Sequence, residues 1–192
     1  MSISESTPKP IKVSFIGDTN TGKTSIIFRY LNESFDDEIS ATFGADAYHI
    51  TVKDTPIVIF DTVGQERYKS VTKSFLRNCD VVVLVYDVTS QDSFDSLKYW
   101  IEVVSEETNY DEKEIIIVGN KIDLYDSVEV EYETSLMFCQ TNKIENFIET
   151  SAENGQNIDE LFEMVADLAN NLTSFECKNV RLQDTKNESH CC

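Results

Sequence analysis

The chain has 192 residues, 41% apolar and 27% charged, which suffices for one packed domain with short appendages and excludes wholesale disorder. Sixteen basic residues oppose thirty-five acidic ones, and the net charge of −19 excludes a duplex nucleic-acid binder, which needs cationic side chains to release counterions. With only two histidines, His49 and His190, a histidine triad or a zinc centre has almost nothing to build with.

Residues 1–10 are polar, include Pro8 and Pro10, and read as a disordered lead-in. They lack the basic and apolar regions of a secretory signal, and Ser2 excludes N-myristoylation, so the chain is expected to stay on the cytosolic side. Ile11–Ile16 alternates apolar and polar residues and predicts a strand. Directly behind it, Gly17-Asp-Thr-Asn-Thr-Gly22-Lys23-Thr24 fits G-x-x-x-x-G-K-[ST], placed between a strand and a helix as that motif requires. Glycine lets the backbone curl so that successive N–H groups point at phosphate oxygens, and the helix N-terminus adds the positive end of its dipole. In this setting Lys23 neutralises β- and γ-phosphates and the Thr24 hydroxyl holds Mg²⁺. Tyr48–Val52 and Ile57–Phe60, joined by Lys53-Asp54-Thr55-Pro56, read as a hairpin. Asp61-Thr-Val-Gly64-Gln65 follows, where a carboxylate can hold Mg²⁺ through water and the Gly64 N–H can meet a γ-phosphate.

Val81–Tyr86, Ile115–Val118 and Phe147–Ile148 are further strands, and their unbroken apolar character is what a parallel sheet covered on both faces requires. The run Val81–Tyr86 is far below the ~20 residues of a membrane span. Phe94, Leu97, Trp100, Ile101 and Val104 form one helical stripe; Ile158, Leu161, Phe162, Val165, Leu168 and Leu172 form another, with Asn157 and Glu160 placed for a capping box. The alternation predicts an α/β fold around a mostly parallel sheet, with its site at the carboxyl ends of the strands. There, Asn120-Lys121-Ile122-Asp123 offers a carboxylate that accepts two N–H donors, matching the N1/N2 edge of guanine and mismatching adenine. Glu149-Thr-Ser151-Ala152 can add a backbone N–H for the guanine O6. The acids crowded into Glu102–Glu114 and Asp123–Glu133 read as solvated helix ends and loops. Cys79, Cys139 and Cys177 read as reduced thiols, mostly buried. Residues 173–192 form a polar tail with three basic and three acidic residues, ending in Cys191-Cys192.

Taken together, Gly17–Thr24, Thr42, Asp61–Gly64, Asn120–Asp123 and Ser151–Ala152 resemble a small GTPase of the Ras superfamily over about residues 11–172. Gln65-Glu-Arg67-Tyr-Lys-Ser-Val-Thr72, Leu84-Val-Tyr-Asp-Val-Thr89 and the Cys-Cys terminus resemble the Rab branch. The resemblance implies a P-loop fold with a six-stranded, mostly parallel sheet (one strand antiparallel) flanked by helices on both faces. It implies a GTP-binding domain over 11–172 and a variable tail over 173–192 that is prenylated at Cys191 and Cys192. Nucleotide contacts are implied for Asp18, Thr19, Asn20, Thr21, Gly22, Lys23, Thr24, Ser25, Phe35, Thr42, Asp61, Gly64, Asn120, Lys121, Asp123, Ser151, Ala152 and Glu153. Thr24, Thr42 and Asp61 would serve Mg²⁺, Phe35 would pack on the base edge, and Gln65 and Lys23 would be catalytic. The implied partners are GTP and GDP, an exchange factor, a GTPase-activating protein, effectors, Rab escort protein and GDP-dissociation inhibitor. The implied protein is a monomer that cycles between cytosol and the cytoplasmic face of Golgi or endosomal membranes.

Some positions depart from that pattern. Asn20 replaces a common Gly, Val63 a usual Ala, Phe60 a Trp and Glu153 a usual Lys, while Phe43-Gly-Ala-Asp-Ala47 replaces Ile-Gly-Val-Asp-Phe. Asn tolerates the left-handed backbone better than most residues, so the loop is expected to survive Asn20. Two readings follow: a hydrolysing switch, or a nucleotide-locked binding module in which Val63 and Asn20 disturb the site. A P-loop nucleotide kinase is excluded because Asn120–Asp123 would have no role.

Overall fold

A computed structural model describes residues 9–33, 45–62, 75–77, 79–107 and 114–170. Phe35, Thr42, Val63, Gly64, Gln65, Cys177 and the tail with Cys191 and Cys192 lie outside these residues, as does most of the N-terminal lead.

Six strands, β1 (Ile11–Ile16), β2 (Ala45–Val52), β3 (Thr55–Thr62), β4 (Val81–Asp87), β5 (Glu114–Asn120) and β6 (Asn146–Thr150), make one sheet in the order β2-β3-β1-β4-β5-β6. Only the β2/β3 pair is antiparallel. The helices are α1 (Lys23–Asn32), α2 (Gln91–Asp95), α3 (Leu97–Glu107), α4 (Tyr132–Thr141) and α5 over residues 158–170. No described helix is long and apolar enough to cross a membrane.

The apolar strands sort their side chains by the two-residue period. Val81, Val83 and Val85 of β4 face one core with Ile26 and Ile27 of α1 and Leu161, Phe162 and Val165 of α5. Val82, Leu84 and Tyr86 face the other, with Leu97, Trp100 and Val104 of α3 and Cys139 of α4. All seven residues of β4 are buried. Of the polar positions of β1, Lys12 is half-buried and Ser14 fully buried, because β1 lies between β3 and β4 under helices on both sides.

Three local expectations change. The hairpin connection shrinks to Lys53-Asp54, both with positive φ (47° and 64°), as a two-residue turn matching the twist of antiparallel strands requires. Thr55 and Pro56 already belong to β3; β1 first pairs at Ile57, so no ladder bond to β1 is lost at the proline. The Phe94–Val104 stripe is real but is divided between two helices at Ser96, whose hydroxyl donates back to the Asp92 carbonyl. The capping box at the last helix is not built: Asn157 has φ 58° and donates its amide to the Glu149 carbonyl, tying the helix start to β6. Lys53 pairs with Glu163 and Asp167 at 3.0 and 3.2 Å, holding the hairpin against α5. Cys79 and Cys139 are buried thiols outside any disulfide.

Candidate functional site

The carboxyl ends of β1, β3, β4, β5 and β6 lie on one edge of the sheet, and every motif residue among the described residues lies in the last residues of one of them or follows it. The register makes this explicit: Phe15 pairs with Asp61, Asp87 with Asn120, and Asn120 with Thr150.

Behind β1 the chain curls through residues 17–22. Gly17 has φ 140°, and a Cβ there would collide with the Val85 carbonyl of the neighbouring strand. Gly22 has φ 89°, and its Cβ would strike the Asn120 amide. Asn20 adopts φ 66°, so this asparagine takes the left-handed backbone in place of a glycine. No side chain caps α1 and no acid occupies its first turn, so its leading N–H groups and positive dipole end remain directed at the loop. This is an anion cradle.

Lys23 is 5% exposed and donates to the carbonyls of Gly17 (3.0 Å) and Asp18 (2.7 Å). Burial pushes its ammonium down to about 8, while the charges of Asp61 and Asp18 oppose the shift. The Thr24 hydroxyl donates to Asp61 Oδ2 at 2.6 Å, bringing the end of β3 to the start of α1. A hydroxyl and a carboxylate are hard oxygen donors of the kind Mg²⁺ prefers when phosphate oxygens and water complete its shell, so this pair fits the ion. No cluster of three or more His, Cys, Asp or Glu side chains among the described residues offers an all-protein alternative.

On the far side of the loop, Asn120 is 1% exposed and spans both halves of the site. Its amide donates to the Thr21 carbonyl at 3.0 Å; its oxygen accepts from Thr150 Oγ1 (3.2 Å) and the Ala152 N–H (3.3 Å). Lys121, at φ 72°, forms a 2.6 Å ion pair with Asp87, whose other oxygen accepts from the Thr89 N–H and hydroxyl. Ser151 donates its hydroxyl to Asp123, and Asn154 in turn donates its N–H to Ser151 Oγ. Asp123 is therefore half-buried and oriented, unlike the exposed acids Asp126, Glu129, Glu131 and Glu133 that follow it. The Arg29 guanidinium of α1 donates to the Glu153 carbonyl at 3.2 Å and steadies that loop. Thr19 and Asn20 are exposed at the loop tip, while Ser25 is half-buried in the first turn of α1.

A model of the Ras family matches residues 12–171. The Ras-related protein Rab7 of Drosophila melanogaster is 36% identical over 163 residues, covering 81% of this chain and 78% of the fly protein. The chain belongs to the Ras family. It is a Rab-like small GTPase, and the six-stranded sheet with one antiparallel strand is the family's fold. The arrangement divides into two clusters, residues 17–25 with Asp61 and residues 120–123 with 151–153. Asn120 is the buried tie between them. Three contributors escape sequence reasoning. Asp87 stands within the branch-typical Leu84–Thr89 stretch without a role until its pair with Lys121 is seen. Arg29 has no motif at all. Trp100 reads as one member of an apolar stripe, yet its indole N–H reaches Asp18 Oδ1 at 2.8 Å.

Proposed function

We propose that this chain is a GTP-binding and GTP-hydrolysing switch that regulates intracellular vesicle traffic, acting at the cytoplasmic face of Golgi or endosomal membranes. The observation that carries the reading is the buried Asn120, whose three hydrogen bonds join a phosphate cradle to a base loop ending in the oriented carboxylate of Asp123. A carboxylate fixed in this way accepts from the two adjacent N–H donors of guanine and would be left unpaired by adenine.

In this reading Asp18, Thr19, Asn20, Thr21, Gly22 and Ser25 line the phosphates, and Lys23 brings a buried positive charge to the β- and γ-phosphates. Thr24 and Asp61, joined by Thr42, would hold Mg²⁺, which when bound supplies charge stabilisation at the phosphates. Gln65 orients the attacking water for in-line displacement, and Gly64 senses the γ-phosphate. Phe35 packs on the base edge, Lys121 lays its methylenes along the base from its anchor on Asp87, and Ala152 and Glu153 complete the base loop. No arginine lies in Phe35–Thr42, so hydrolysis is slow until a GTPase-activating protein supplies one. An exchange factor, effectors, Rab escort protein and GDP-dissociation inhibitor complete the cycle. The GTP-binding domain spans 11–172, works as a monomer, and is anchored by prenyl groups on Cys191 and Cys192 of the tail.

Single-turnover hydrolysis in wild type, Gln65→Leu and Val63→Ala tests the catalytic half of this reading. Gln65→Leu should be clearly slower with GTP affinity kept, because Gln65 acts on the water and makes no ground-state phosphate contact. Val63→Ala should change the rate only modestly. A Gln65→Leu protein as fast as wild type, beside a much faster Val63→Ala, would favour the nucleotide-locked module instead.

A further inference from the structure

Asp18 is the only acid between Gly17 and Thr24, and it sits where an anionic ligand must come close. A carboxylate there repels phosphates and competes with them for Lys23, on whose ammonium its charge already acts. Its backbone carbonyl takes the Lys23 ammonium at 2.7 Å, whereas its side chain is taken by a group from another layer of the fold. Trp100 of α3, 3% exposed in the core beneath the sheet, sends its indole N–H to Asp18 Oδ1 at 2.8 Å. An indole nitrogen is a donor and nothing else, so this contact has one polarity and one geometry. Apolar packing does not account for it: a Phe would fill the stripe position and leave Asp18 unheld.

We infer that Trp100 is a positioning residue for nucleotide binding, whose indole N–H holds the Asp18 carboxylate against α3 and leaves Lys23 to the phosphates. This rests on the GTP-binding reading above. The effect is electrostatic, so it grows with the charge of the nucleotide and vanishes when Asp18 carries none. A hydrogen bond to a charged group, lost by deletion of its donor, corresponds to about a tenfold change in an equilibrium.

The test is the release rate of a fluorescent N-methylanthraniloyl derivative of GDP, and of a non-hydrolysable GTP analogue, from the full chain. Trp100→Phe should speed GDP release about tenfold, with a larger increase for the GTP analogue. In an Asp18→Asn background the same Trp100→Phe change should alter release less than about twofold. Equal costs of Trp100→Phe in both backgrounds would mean that the ring acts by packing alone, and would overturn the inference. Trp100 is the single tryptophan, so wild-type protein gives one indole N–H resonance that reports without the ring substitution. That resonance should be protected from solvent exchange and should move on Asp18→Asn; free exchange, or no movement, overturns the inference even if Trp100→Phe fails to fold. Wild type that retains no guanine nucleotide would instead defeat the GTP-binding reading, and the inference with it.

Discussion

At the scale of single residues, the sharpest consequence concerns Asp123. Ser151 donates to one of its oxygens, so in Asp123→Asn the hydroxyl keeps the amide oxygen and the amide NH₂ meets the N–H donors of guanine. GTP and GDP should weaken at least ~100-fold, while xanthosine nucleotides, which present an acceptor at that edge, should improve. Competition binding with both nucleotide sets checks this, and an unchanged guanine preference would remove Asp123 from the base. A second prediction concerns Cys139, whose thiol is pushed up to about 11 by burial. The unfolded thiol loses its proton near 9.0, so the folded state keeps this contribution below that pH and loses it as pH rises toward 11. Denaturant melts between pH 8 and pH 10.5 should therefore fall more steeply in wild type than in Cys139→Ala, and iodoacetamide at pH 8 should label Cys139 only in unfolded protein. These residues also show what sequence reading can reach. Asn120, Asp123, Lys23, Thr24 and Asp61 are legible because their chemistry is tied to short spacings. Asp87, Arg29 and Trp100 act across gaps of 34, 124 and 82 positions, and no local pattern marks such a partner.

Among the elements, strand identity was the most legible feature, because β4 and β5 are apolar throughout and only a sheet covered on both faces accepts such runs. Boundaries were less so. Ala45–Ala47 of β2 and Thr55-Pro56 of β3 join the sheet through pairing of the backbone, to which side-chain pattern is blind. The turn they leave strains Asp54 at φ 64°, so Asp54→Gly should raise stability by about 0.5 kcal/mol, read as a higher melting temperature. The last helix works through its buried face. Phe162 stacks on Tyr30 at 3.9 Å and on Phe15 at 6.1 Å, binding α5 and α1 to β1 beneath the phosphate loop. Phe162→Ala should cost about 3–5 kcal/mol in denaturant titration. Lys53→Ala should leave the denaturation midpoint nearly unchanged, since its ion pairs with Glu163 and Asp167 are exposed.

Over the whole molecule, the proposed function divides the work, with recognition in the acidic body and anchoring in the tail. The tail's three basic and three acidic residues form no polybasic cluster, so in the proposed reading membrane attachment rests on prenyl chains at Cys191 and Cys192, at ~0.8 kcal/mol per buried CH₂. Serine at both Cys191 and Cys192 should leave the protein in the supernatant of a membrane sedimentation assay with GTP binding intact; a variant that still pellets would place the anchor elsewhere. The more basic claim is that β1, β3, β5 and β6 deliver their ends to a single guanine-nucleotide site. Denaturing the purified wild-type chain and quantifying what it releases by chromatography tests that claim most directly. Close to one equivalent of GDP plus GTP should be found, lost on incubation with a magnesium chelator and regained from guanine but not adenine nucleotides. Adenine nucleotide in that fraction, or a protein that takes up neither, would contradict it.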